Sequence, residues 1–199
     1  MLKKYLLQYH KIINYYDDNN YLKALLKLNL APTIANLKVG TMVNLTNGTR
    51  NLKNIWKKNI ELYLENMSLS YIELKENKNS VLVLFYNENM LEEIISNKDV
   101  KTFLNRYGYS HCITTEDYIQ FLKSRFDMSV SCPNEVGIFL GYPLEDVKDF
   151  HCSKKCKITG YWRCYNNDRL AVEKFKRYDQ EKLKIIKTEL DINKIKEPA

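Results

Sequence analysis

Leu69 to Tyr86 reads L-S-Y-I-E-L-K-E-N-K-N-S-V-L-V-L-F-Y. Two apolar stretches, Leu69 to Lys75 and Ser80 to Tyr86, flank the polar Glu76-Asn77-Lys78-Asn79, a pattern that predicts two antiparallel strands joined by a short turn. The first strand alternates imperfectly. The second is apolar at every position after Ser80, so it is expected at the centre of its sheet with both faces covered.

The segments around this hairpin carry a helical period. Leu2, Tyr5, Leu6, Tyr9, Ile12 and Ile13 share a face in residues 2–15, and Tyr21 to Leu28 predicts a second helix that Ala31-Pro32 should break. Leu37 to Leu45 fits a short strand or extended segment, and Asn51 to Glu65 is an amphipathic helix through Leu52, Trp56 and Tyr63. Asn87 or Asn89 can cap a helix through Leu91 and Ile95, a short helix fits Val100 to Arg106, and Thr114 or Thr115 can cap one through Tyr118, Leu122 and Phe126. Lys157 to Tyr165 reads as one strand with Gly160, Trp162 and Cys164 on a common face, and a last helix follows a cap at Asn167 or Asp168. The expected class is α+β, or a three-layer α/β arrangement. Its small, mainly antiparallel sheet would combine the 69–86 hairpin with the 157–165 strand under several helices. One globular domain over 1–191 and a frayed tail over 192–199 complete the expectation.

A chain of 199 residues with 45% hydrophobic and 28% charged residues has the composition of a single folded domain. Met1-Leu2-Lys3-Lys4 leads into no continuous apolar stretch, which argues against a secretory leader, and runs such as Val81 to Tyr86 are far too short to cross a bilayer. The five cysteines, Cys112, Cys132, Cys152, Cys156 and Cys164, are odd in number and confined to the C-terminal half, which reads as reduced thiols in a cytoplasm. Net charge is +7, yet lysine far outnumbers arginine, the residue suited to planar recognition of phosphate and guanine. A nucleic-acid partner is therefore disfavoured, and the surplus reads as a solvated lysine-rich surface.

Ser131 to Val147, S-C-P-N-E-V-G-I-F-L-G-Y-P-L-E-D-V, is the least generic stretch. Ser131 and Pro133 suit a helix start, Gly141 a left-handed helix end, and Pro143 with Glu145 and Asp146 the start of another helix. Gly137 inside a helix costs about 1 kcal/mol against alanine, so a close helix contact or a ligand's approach is expected there. Glu135 beside an apolar run either completes a cap or serves as an acid/base group; the cap is the preferred reading.

These residues resemble the uncharacterised bacterial domain-of-unknown-function family 3793. The resemblance rests on Cys132 to Val147, on G-Y-W-R-C-Y from Gly160 followed by an acidic cap and helix, and on L-A-P-T-I-A-N-L-K from Leu30 to Lys38. Asn134 stands where that family usually has histidine, so a histidine-based mechanism at this position would not transfer. The resemblance implies no activity.

The residues themselves admit several chemistries. His111, His151 and the cysteines invite a metal reading, with Cys152 and Cys156 as its weak candidates, but a three-residue gap is not the paired knuckle of a structural zinc site. Cys132 with His111 or His151 would be the nucleophilic pair, against the commoner inert buried cysteine. No phosphate-binding glycine loop is present, so ATP and NAD have no support. Three functional readings stand side by side. The first is a small-ligand-binding or regulatory module using Glu135, Gly137, Tyr142 and Trp162. The second is a small enzyme with Glu135 as acid/base, and the third is a protein-interaction module.

Overall fold

The computed structural model describes residues 2–65, 67–129, 131–150 and 152–196, with the side chains of Leu64 and of residues 192–196 outside the description. Chain order is α1 (Leu2–Ile13), α2 (Asp18–Ile34), β1 (Gly40–Thr46), α3 (Leu52–Leu64), β2 (Ser70–Asn77), β3 (Ser80–Tyr86), α4 (Glu88–Ser96) and α5 (Lys98–Asn105). A 3-10 turn (Tyr109–His111) leads to α6 (Thr115–Met128), α7 (Val136–Phe139), α8 (Leu144–Asp149), β4 (Ile158–Thr159), β5 (Arg163–Cys164) and α9 (Asp168–Lys196). The fold is α+β, as the sequence predicts.

The sheet has the order β1-β3-β2 with both pairings antiparallel, so the all-apolar β3 is indeed central. Its alternate residues separate two cores. Val81, Val83 and Phe85 pack with Leu22, Leu26 and Leu30 of α2 and with Trp56 and Tyr63 of α3. Leu84 and Tyr86 join Leu91 of α4, Phe103 of α5, Leu122 of α6 and Phe139 of α7 on the other face. Helices thus cover both faces, and burial of that apolar surface is the main source of stability.

The imperfect alternation of the first hairpin strand has a physical cause. Glu73 pairs opposite Val83 and Lys75 opposite Leu82, a register shift that leaves Leu74 as an extra residue in a bulge. Strict alternation would send Glu73 and Glu76 to opposite faces. Across the bulge both instead reach Lys57 of α3, whose Nζ lies 2.5 Å from Glu73 Oε2 and 2.8 Å from Glu76 Oε2.

Three expectations need correction. Segment 157–165 does not join the main sheet; it folds as a separate two-stranded hairpin with Ile158 opposite Cys164 and Thr159 opposite Arg163. Period-two alternation cannot distinguish one strand from two short strands around a turn, and contacts to α8 select the turn here. The third strand of the sheet is β1, from the segment given only as strand or extended chain. Finally, Pro32 lies inside α2, because in the last turn the helix loses only one amide donor, and the Pro32 carbonyl accepts from the Leu37 and Lys38 N–H groups at 2.9 and 3.2 Å. The helical backbone of α9 continues through 192–196, part of the expected tail, while 197–199 lie outside the described residues.

Candidate functional site

The loop that follows α7 sets the site. Gly141 takes φ +76°, and the turn closes with Gly141 N–H on the Ile138 carbonyl and Tyr142 N–H on the Gly137 carbonyl, both at 2.9 Å. This is the paired bonding of a Schellman cap, so the expected left-handed helix end is present. It places Tyr142 where its ring stacks on Trp162, with centres 5.5 Å apart and planes 28° apart. Phe175 of α9 also packs on the indole in a T-shaped arrangement, with ring centres 4.5 Å apart.

Asp146 fixes the indole from α8. It is 4% exposed, and its Oδ2 accepts from Trp162 Nε1 at 2.8 Å. Its Oδ1 accepts from Tyr165 N–H at 2.9 Å and from Asn166 N–H and Nδ2 at 3.0 Å each. Burial opposes ionisation of this carboxyl, but the hydrogen bonds from Tyr165, Trp162 and Asn166 outweigh it and hold the group below its ordinary value. Sequence reasoning placed Asp146 only in the first turn of a helix. A carboxylate whose partners lie 16 to 20 residues away in sequence has no local signature.

Between α7, α8 and the β4/β5 hairpin lies a cleft of about 330 Å³, within the usual range for small-molecule pockets. Tyr142, Phe150 and Trp162 form its aromatic wall, while Met42, Leu140 and Val147 supply aliphatic surface. Gly137, Cys132 and Arg163 also line it. Two other depressions, of about 480 and 490 Å³, are larger, but neither combines the 132–147 and 160–165 blocks.

Three of the four residues singled out for ligand contact, Gly137, Tyr142 and Trp162, therefore meet around one cleft. Glu135 is not among its lining residues. It is fully buried, with Oε1 accepting from Arg125 Nε at 2.7 Å and from the Tyr109 hydroxyl at 3.5 Å. Its Oε2 has no hydrogen-bond partner. Glu135 occupies the N-cap position of α7 but makes no side-chain cap bond, so the preferred capping role gives way to an ion pair between this buried carboxylate and the partly exposed Arg125 of α6. Arg125 lay outside the sequence-derived site, since an arginine near the end of an amphipathic helix reads as solvated.

Gly137 is accounted for by packing: a Cβ there would lie 2.7 Å from Val147 Cγ2 and 3.2 Å from Tyr142 Cδ2. Gly137→Ala is expected to destabilise by about 1 kcal/mol in urea unfolding, the overpacking of α8 exceeding the gain in helix propensity. A stabilised variant would show that α8 yields freely at this contact.

Behind Tyr142, the Lys38 ammonium lies 5.9 Å from the ring centre and donates to Thr41 Oγ1 at 3.2 Å. Lys38 is 8% exposed. Burial, with a smaller contribution from the charge of Lys182, lowers its pKa to about 8. Burial also raises the phenol of Tyr142 to about 12, so that ring is neutral across the physiological range.

The thiols give a different picture from an activated nucleophile. Burial and then the charge of Glu135 raise the Cys132 pKa, which favours the unreactive protonated form. His111 Nε2 lies 3.8 Å from the adjacent Cys112 Sγ, while His151 is outside the described residues. Cys152 Sγ donates to the Lys148 carbonyl and Cys156 Sγ to that of Ile158. Among the described residues no group of three or more His, Cys, Asp or Glu side chains could hold a metal ion.

Fold and cleft together define an α+β protein with an aromatic-walled pocket between two helical turns and a small hairpin. The chain belongs to the family described as Protein of unknown function (DUF3793), whose model matches residues 26–197 and so contains every residue lining the cleft. No curated protein and no solved structure matches the chain. Among the described residues, no helix is long and apolar enough to cross a membrane.

Proposed function

We propose that the protein is a cytoplasmic small-ligand-binding or regulatory module and that the cleft walled by Tyr142 and Trp162 is its binding site. The observation that carries this reading is the way the wall is held. The indole of Trp162 is fixed by Asp146 on its nitrogen, by the stacked Tyr142 ring and by the T-shaped contact with Phe175, giving a preformed apolar surface beside a space of about 330 Å³. A fixed wall loses little side-chain freedom on binding, and aromatic surface gains much from contact with a planar or apolar group.

The two tryptophans provide the test. Trp162 lines the cleft, whereas Trp56 is fully buried in the α2/α3 core with its Nε1 on Glu73 Oε1 at 3.0 Å. In NMR titrations with a set of small aromatic fragments, the Trp162 indole N–H signal is expected to shift saturably while that of Trp56 stays in place. If no fragment at millimolar concentration moves the Trp162 signal selectively, the reading is wrong.

A further inference from the structure

We infer that the cleft selects ligands carrying an anionic group on an apolar or aromatic body, with Arg163 as the residue that recognises the anion. The inference rests on the cleft being a ligand site. Among its described lining residues the charged ones are Asp146 and Arg163, and they are in opposite situations. Both oxygens of Asp146 are taken up by Trp162, Tyr165 and Asn166, so this carboxylate is committed to holding the fold.

Arg163 is exposed on β5. Its guanidinium stands 5.7 Å from the ring centre of Phe150, and no carboxylate among the described residues pairs with it. An aromatic neighbour orients the planar guanidinium and leaves its N–H donors for a carboxylate, sulfonate or phosphate oxygen. Lys38 adds to the same field. Its ammonium lies 5.9 Å from the Tyr142 ring centre with a threonine hydroxyl, and no carboxylate among the described residues, as its hydrogen-bond partner. Two cations thus stand near the aromatic wall, Lys38 at Tyr142 and Arg163 at Phe150, while Asp146, the carboxylate among the described lining residues, is saturated. Low-dielectric walls strengthen the attraction of that field for a bound anion.

The test compares 2-naphthoate with its neutral analogue 2-naphthamide, both followed by the Trp162 indole signal. At low ionic strength naphthoate is expected to bind at least fivefold more tightly. Arg163→Gln should reduce that preference to less than twofold, and a Trp162 signal that still shifts saturably with naphthamide reports that the cleft is intact. Arg163→Lys should retain part of the preference. Equal affinities in the wild type, or a preference that survives Arg163→Gln, would overturn the anion selectivity and leave the cleft standing as a site for neutral ligands. Binding of neither compound would remove the cleft reading and this inference together.

Discussion

Asp146→Ala is expected to lower the unfolding free energy by about 3 kcal/mol and to loosen the β4/β5 hairpin before the rest of the chain. A hydrogen bond to a charged group contributes about 1.5–3 kcal/mol, and a buried donor left without a partner carries a further penalty. Asp146 receives two backbone amides, one side-chain amide and an indole N–H. Part of the loss is recovered as water enters the half-buried Asn166 side, which keeps the expectation well below the sum of the bonds. Urea unfolding gives the global value, and hydrogen exchange at the Tyr165 and Asn166 amides gives the local one. Exchange at these amides as slow as in the wild type would mean that Asp146 does not hold the hairpin.

The same carboxyl carries an acid dependence. Its folded pKa lies below the ordinary value because hydrogen bonds to the carboxylate outweigh burial. Its stabilisation is therefore present above the unfolded pKa of about 3.9 and is lost as pH falls through the lower folded value. Asp146→Asn should lower stability near neutrality without changing its slope there, and should flatten the loss of stability below about pH 4.

Lys38→Met is expected to stabilise the protein near neutral pH, by up to about 3 kcal/mol, because it removes a buried ammonium that no carboxylate among the described residues pairs. The folded pKa of about 8 lies below the ordinary 10.5. Below pH 8 the lysine is protonated in both states and the wild type bears the full cost of burying charge. Between 8 and 10.5 the native protein has released a proton that the unfolded chain retains, so this contribution to stability rises with pH, by at most about 1.4 kcal/mol per unit. The advantage of the methionine variant should consequently shrink through this window. Other groups oppose the trend: burial raises the thiols of Cys112, Cys132 and Cys164 and phenols such as Tyr86 and Tyr178, all of which favour the native state less as pH rises. They are common to both chains, so the difference between wild-type and variant stabilities isolates Lys38. A difference independent of pH from 7 to 10.5 would show that Lys38 is solvated in the native protein.

The pattern of β3 determined that it is central and doubly covered, because a strand without a polar face leaves no side that water could solvate. The amphipathic periods likewise marked where helices lie, and the glycine at 141 marked a helix end because only glycine takes a positive φ without strain. In the site, the two unusual blocks indicated Gly137, Tyr142 and Trp162, whose types are costly or bulky enough to need a reason. Tertiary structure alone decided the rest. Glu135, Asp146, Lys38 and Arg163 are charged residues whose surroundings come from elements distant in sequence, and a charge shows its function only through what faces it. The sequence could therefore determine that a carboxylate stands at 135 and another at 146. Only the packing of α6 against α7, and of the β4/β5 hairpin against α8, gave the first, a buried carboxylate, its arginine partner and made the second the anchor of the cleft.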